Sequence, residues 1–354
     1  MEQNEIATII GPIHLEVGAS LPEVQIAYTT YGELNAARNN VIWVCHALTA
    51  NAIVNDWWPG MIGKGKLFDT SKYFVVCANV LSSCYGTTGP LDVNPDTGLP
   101  YYHNFPKVTI RDMVTIHKLL AQYLGILEIE ILIGGSLGGM QALEWAIDQP
   151  YFARQLVLIA SSARASAWSI AFNEAQRLAI EADSTWSKQD AEAGRDGLRA
   201  ARATALLSYR NHKVYTSTQT DPDLDQIWPR LAIEYQQYQG TKLVNRFNAF
   251  SYYRLTQAMD SHNVGRNRDG VPRALSRVRA DTLVIGIKSD ILFPTEEQRL
   301  LARLIPEAQY IEFESHLGHD GFLTEVEKIT VGVQQFRRSK RQATTAEPLA
   351  ALIG

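Results

Sequence analysis

The sequence predicts an α/β protein, with a mostly parallel central sheet flanked by helices and a helical domain inserted into it. Three observations carry this. Short apolar runs rich in Val and Ile recur along the 354 residues, helix-periodic stretches lie between several of them, and from about Ala165 to Asn263 the apolar runs stop. Runs of four to eight apolar residues are the mark of strands buried on both faces, and their alternation with helices is the mark of parallel pairing. Hydrophobic residues make up 46% of the chain, enough to fill a core of this size.

The expected strands are VIWVC (41–45), YFVVCA (73–78), IEILI (129–133), LVLIA (156–160), TLVIGI (282–287) and QYIEF (309–313). Asp112 to Leu124 has Met113, Ile116, Leu119, Leu120 and Tyr123 at spacings of three and four, which predicts an amphipathic helix. Met140 to Ile147 predicts another. The block 165–263 contains helix-like stretches such as AFNEAQRLAIEAD, GLRAARATALLSYR and YYRLTQAMD. Residues 1–164 and 264–336 are therefore expected to form the core, 165–263 a lid over the sheet's edge, and 337–354 a flexible tail.

Bulk properties narrow the function. The formal net charge is −4, which gives no attraction to nucleic acid or an anionic membrane. No stretch approaches the roughly 18 apolar residues of a membrane span. The opening MEQNEIATII lacks a basic region followed by an apolar run, so no secretory signal is expected there. Cys45, Cys77 and Cys84 do not form a disulfide framework, and two of them end apolar strands. The expectation is a soluble cytoplasmic protein.

Chemistry enters at ILIGGSLGGMQALEWA, residues 131–146. Four glycines and one serine separate a strand pattern from a helix pattern. Gly134-Gly135-Ser136-Leu137-Gly138 fits G-x-S-x-G, a sharp strand-to-helix turn that exposes a serine above the sheet. The helix N-terminus behind it offers unpaired N–H groups to a developing negative charge.

A serine nucleophile needs a base and the base an orienting carboxylate, in the chain order Ser, Asp or Glu, His on such an architecture. Asp290 follows the strand TLVIGI, at the end where ligands gather in open α/β sheets. His319, in ESHLGHDGFL after QYIEF, is the expected base, with His316 as its rival. A tetrahedral intermediate also needs two donors for its oxyanion. The N–H groups of Leu137, after the nucleophile, and of Leu48, in the loop after VIWVC, are the candidates.

Other motifs fail on their chemistry. Gly60 to Lys66 fits G-x-x-x-x-G-K but continues with Leu67, so the hydroxyl that would bind Mg²⁺ is missing. Asp221, Asp223 and Asp225 have calcium-loop spacing, but Gln226 replaces the required glycine. No His and Cys spacing suggests zinc.

Five stretches together resemble the homoserine O-acetyltransferase family, acyltransferases with the α/β-hydrolase fold. They are CHALTANAIVNDWWPGMIGKGKLFD, YFVVCANVLSSCYGTTGPLDVNPDTGLPYYHNFPKVTIRDMV, GGSLGGMQALEWAI, SDILFP and LGHDGFL. The resemblance runs from about residue 10 to 335. It implies a ping-pong reaction in which Ser136 takes an acetyl group from acetyl-CoA, a co-substrate, and L-homoserine collects it, with no permanently bound cofactor or metal. It implies Arg202, in ARATALLSYR, as the ligand of the substrate carboxylate, Tyr209 as its neighbour and Asp320 as partner of the substrate ammonium. It also implies a homodimer, and apolar lid positions such as Ile170, Phe172, Ala175 and Leu178 exceed what a lid alone needs. Two positions depart from the family pattern. Leu137 stands where many members have Met or Phe, and Ala50-Asn51 follows HALT where many have Gly-Asp or similar. Succinyl transfer, serine as acceptor, and an esterase on the same fold stay open on the residues alone.

Overall fold

The computed structural model describes the backbone of residues 4–350 and the side chains of residues 4–342. Its strands are β1 (Glu5–His14), β2 (Ser20–Tyr31), β3 (Val41–Cys45), β4 (Phe74–Ala78), β5 (Val93–Asn94), β6 (Leu99–Pro100), β7 (Ile129–Gly135), β8 (Ala153–Ile159), β9 (Asp281–Ile287) and β10 (Gln309–Phe313). Its helices are α1 (Val54–Trp57), α2 (Ile110–Tyr123), α3 (Leu137–Asp148), α4 (Ala167–Glu181), α5 (Arg195–Tyr209), α6 (His212–Gln219), α7 (Leu231–Val244), α8 (Ala249–Asp260), α9 (Val271–Leu275), α10 (Thr295–Leu304), α11 (Gly321–Thr324) and α12 (Val326–Ala350).

Eight strands form one sheet in the order β1-β2-β4-β3-β7-β8-β9-β10. From β4 to β10 every pairing is parallel, whereas β1–β2 and β2–β4 are antiparallel. Successive side chains of a strand point to opposite faces, so each buried run feeds two cores. Trp43, Leu132, Leu156 and Val284 pack on one side with residues of α2 and α3. Ile42, Ile133, Val157 and Ile285 pack on the other with Val54 of α1 and Ile329, Val333 and Phe336 of α12.

The hairpin β1–β2 carries no sequence expectation above. Its register shifts between Ile10 and Ile13, and Ile6 and Ile10 of β1 are exposed, so β1 shows no buried apolar run; in β2 the buried run is the short Ile26–Thr29, which mixes Tyr and Thr with Ile and Ala. The helix expected from Asp112 starts at Ile110, because Thr109 and Asp112 form a capping box: Thr109 Oγ1 accepts from the Asp112 N–H and Asp112 Oδ2 from the Thr109 N–H.

Helices α4–α8 lie between β8 and β9. The two crossings into this block pair with each other: Ala165 N–H donates to the His262 carbonyl at 2.9 Å and Val264 N–H to that of Ala163 at 3.0 Å. The buried face of α4 is largely polar, with Asn173 and Arg177 bound to Asp260 of α8. The expected flexible tail from residue 337 is corrected for its first part. α12 continues unbroken to Ala350, and its Arg337 reaches Glu130 of β7 at 2.9 Å and the Tyr73 hydroxyl at 2.8 Å. An amphipathic helix already seated on the sheet by Ile329, Val333 and Phe336 extends into the basic run. Residues 351–354 lie outside the described residues.

Candidate active site

The strand β7 runs to Gly135 and α3 begins at Leu137, so Ser136 alone makes the turn. It has φ 55° and ψ −124°, a conformation that a residue with a side chain adopts at a cost. Its N–H donates to the Ile159 carbonyl at 3.0 Å and its own carbonyl accepts from Ser161 Oγ at 3.0 Å. These bonds hold the strained residue in place. The glycines are there for backbone approach: a Cβ on Gly138 would collide with the Cys45 carbonyl, and one on Gly134 with that of Gly138. This explains why the helix starts three residues before the expected Met140. Leu137, Gly138 and Gly139 are helical because tight packing against the sheet dictates it, despite glycine's poor helix propensity.

Asp290 and His319 sit on loops beyond the C-terminal ends of β9 and β10. Ser136 Oγ lies 2.9 Å from His319 Nε2, and His319 Nδ1 lies 2.6 Å from Asp290 Oδ2. The other carboxylate oxygen accepts the N–H groups of Leu292 at 2.8 Å and Phe293 at 2.9 Å, which fixes the carboxylate's plane. All three side chains are buried. A carboxylate only accepts, so Nδ1 carries the proton and Nε2 is left to take one from the serine. Burial acts against a charged His319. The charge of Asp290, its hydrogen bond and the charge of Asp320 outweigh that, and the imidazole is raised above its usual 6.5. His316, the rival base, is exposed and lines a separate cavity with Arg210, Lys213 and Lys288.

The N–H of Leu137 opens α3, and that of Leu48 lies in the loop after β3. Among the described residues neither donates to another protein group. Ser136 and Leu48 both line a cavity of about 530 Å³, within the range of small-molecule sites. Arg202 and Tyr209 enter it from α5 and Asp320 from beside His319. The Arg202 guanidinium stands 5.5 Å over the Tyr209 ring and makes no ion pair among the described residues. Burial raises the Tyr209 phenol, and Arg202 pulls it back. Asp320 gives one oxygen, Oδ2, to Arg210 at 2.5 Å.

Sequence reasoning did not single out Lys242, Arg246, Asp56, Trp57 and Tyr85, which also line the cavity. Arg246 donates to the Thr49 carbonyl at 2.5 Å and the Tyr85 hydroxyl at 2.6 Å, which ties the connection between α7 and α8 to the loop carrying Leu48. No periodicity marks a residue whose partners lie 197 and 161 positions away. Among the described residues no group of three His, Cys, Asp or Glu could hold a metal, and no helix is long and apolar enough to cross a membrane.

A strained serine at a strand-to-helix turn, hydrogen-bonded to a histidine and through it to an aspartate, at the C-terminal edge of a parallel sheet, defines an enzyme of the α/β-hydrolase class. The family model for the alpha/beta hydrolase fold matches residues 40–326. The homoserine O-acetyltransferase of Cyclobacterium marinum is 48% identical over 324 residues, 92% of each chain. That of Chlorobaculum tepidum is 46% identical over 334 residues, again 92% of each. The crystal structure of the homoserine O-acetyltransferase from Bacillus anthracis superimposes with a TM-score of 0.87 at 26% identity, covering 95% of this chain and 98% of that one. The chain belongs to the homoserine O-acetyltransferase family.

Proposed function

We propose that this protein transfers an acetyl group from acetyl-CoA to the γ-hydroxyl of L-homoserine, through an acetyl-Ser136 intermediate. The observation that carries the reading is a Ser136–His319–Asp290 relay whose Ser136 and His319 share one cavity with Arg202, a guanidinium without an ion pair among the described residues. A hydrolase needs the relay. An amino-acid acceptor also needs a fixed cation for its carboxylate, and arginine grips one bidentately.

In the first half, His319 Nε2 takes the proton of Ser136 Oγ as that oxygen attacks the thioester carbonyl. The oxyanion forms toward the N–H groups of Leu48 and Leu137. Collapse breaks the C–S bond, and the thiolate leaves with the proton held by His319. In the second half, homoserine binds with its carboxylate on Arg202, beside Tyr209, and its ammonium toward Asp320. His319 takes the γ-hydroxyl proton, the alkoxide attacks the acetyl carbonyl, and the proton returns to Ser136 as O-acetyl-L-homoserine departs. This product places the enzyme in methionine biosynthesis. No resident cofactor has a step.

A homodimer through the lid extends the proposal. Leu224, Ile227 and Trp228, between α6 and α7, are 80%, 84% and 81% exposed, and Leu178 and Trp168 of α4 also face outward. Apolar side chains gathered on one block are the composition of an interface that a second copy covers. A cytoplasmic location suits an enzyme supplied with acetyl-CoA.

The test is release of CoA thiol from acetyl-CoA with L-homoserine, L-serine or no acceptor, in wild type and Ser136→Ala. Release that requires homoserine and vanishes in the variant supports the reading. Strong release without acceptor identifies a hydrolase. Release from succinyl-CoA alone keeps the relay and changes the donor.

A further inference from the structure

We infer that Gln141 is a positioning residue for the oxyanion site, its single carboxamide clamping together the two backbone segments that carry the Leu48 and Leu137 donors. This rests on the reading of those two N–H groups given above.

The geometry is complete around the amide. Gln141 Nε2 donates to the His46 carbonyl at 3.2 Å and to the Leu137 carbonyl at 3.2 Å, and Gln141 Oε1 lies 2.8 Å from His117 Nε2. Both carbonyls are acceptors, so the nitrogen must face them and the oxygen must face His117. His117 then donates from Nε2. Its Nδ1 is left bare, and that atom has no partner among the described residues. Burial lowers the imidazole to about 4, consistent with this neutral tautomer. The ring is held edge-on by Trp43 at 5.7 Å and stacked by Trp145 at 6.1 Å. Gln141 and His117 are fully buried.

The placement matters because among the described residues no other side-chain hydrogen bond joins these segments. At Gly138 the helix touches the end of β3 backbone to backbone, since no Cβ fits against the Cys45 carbonyl. One turn further on, Gln141 fastens the next residue of that strand exit, His46, to the first residue of the helix, Leu137. Leu48 is two residues beyond His46. The His46 ring anchors the same exit from the other side, taking the Val80 N–H at 3.2 Å on Nε2. A shift of this exit against the helix would move the Leu48 donor relative to Leu137, which stays with Ser136 at the start of α3, and would leave the relay of Ser136, His319 and Asp290 in place.

The test measures the acylation burst from p-nitrophenyl acetate, which needs Ser136 and the oxyanion donors but no acyl acceptor and no CoA recognition. Wild type is compared with Gln141→Met, close in volume without donors, and with His117→Phe, which frees the amide to rotate. A displacement near 1 Å costs up to about 100-fold in rate, so the expected loss for Gln141→Met is about 10- to 100-fold in the burst rate constant, with the saturation constant for the ester unchanged. Affinity for an acetyl-mimicking trifluoromethyl ketone, which forms an oxyanion on Ser136, falls by the same factor. His117→Phe gives a smaller loss in the same two quantities. A merely structural role would lower the unfolding midpoint and leave both quantities intact well below it. The inference is overturned if either folded variant acylates and binds the ketone as wild type does. It also falls if wild type shows no burst with the ester. Wild-type acylation by ester with no transfer from acetyl-CoA would overturn the proposed function and leave this inference standing.

Discussion

The carboxylate of Asp290 spends both oxygens on orientation: Oδ2 holds His319 Nδ1 at 2.6 Å, while Oδ1 accepts the N–H groups of Leu292 and Phe293. The turn that follows β9 thus aims the imidazole at Ser136. Loss of the acceptor at Nδ1 lets the proton move to Nε2, where it faces the serine. Asp290→Asn is expected to lower the acylation rate on the order of 10³- to 10⁴-fold with little change in stability, measured by burst kinetics beside thermal unfolding.

The same carboxylate sets the pH profile. A histidine serves as base only when neutral, and the His319 imidazole is raised above its usual 6.5 against the opposing effect of burial. Acylation is therefore expected to rise with pH through a midpoint above 6.5. Asp320 also raises His319, so Asp320→Asn moves that midpoint down. A pH series of kcat/KM for the ester reads both. A midpoint in Asp320→Asn at or above that of wild type would sink the assignment.

Gly138→Ala is expected to damage activity more than folding. The added Cβ meets the backbone of Cys45 and His46, which cannot rotate away as a side chain end could. Either α3 or the loop carrying Leu48 must shift. The burst rate is expected to fall by about 100-fold or more, checked beside circular dichroism and the unfolding midpoint.

What could be read in the sequence follows from burial. Strands such as β3, buried at all five residues, appear as unbroken apolar runs because both faces are covered. The turn at Ser136 is legible because backbone approach leaves glycine no substitute at 134 and 138. Asp290 and His319 are legible through strand order. The strand β1 is not, since its edge position lets polar and apolar residues mix. Nor are Lys242 and Arg246, whose positions in the cavity depend on how the lid helices fold over the sheet. The course of α12 past residue 337 is hidden for another reason: Arg337 is held by Glu130 and Tyr73, partners that a local basic run does not reveal.

Glu144 makes a prediction about stability. It is 2% exposed and binds Arg268 at 2.5 Å and Arg111 at 3.1 Å, joining α3 to the segment that leaves the lid and to α2. Removing Glu144 takes from both arginines their most buried counter-charge, although Arg111 keeps Glu16. Glu144→Ala is expected to cost about 3 kcal/mol in urea unfolding. Glu16→Ala breaks more exposed pairs with Arg111 and Arg266 and is expected to cost about 1 kcal/mol or less. The reverse ranking would mean that the network is stabilised from its surface end.

On the proposed reading, Arg202 serves acceptor binding and not acyl transfer to the enzyme. Its guanidinium faces the cavity over Tyr209, without an ion pair among the described residues, and no part of the relay contacts it. A charge-assisted hydrogen bond contributes about 1.5–3 kcal/mol, so losing the grip on a carboxylate costs roughly 10- to 150-fold in binding. Arg202→Gln is expected to raise the KM for L-homoserine by about that factor, while the ester burst stays at the wild-type rate. Arg202→Lys keeps the charge but loses the planar fork, and is expected to recover part of the affinity. An unchanged KM in Arg202→Gln would transfer the carboxylate to Lys242 or Arg246, the other cations of the cavity, and the same pair of measurements on their variants would then decide between them.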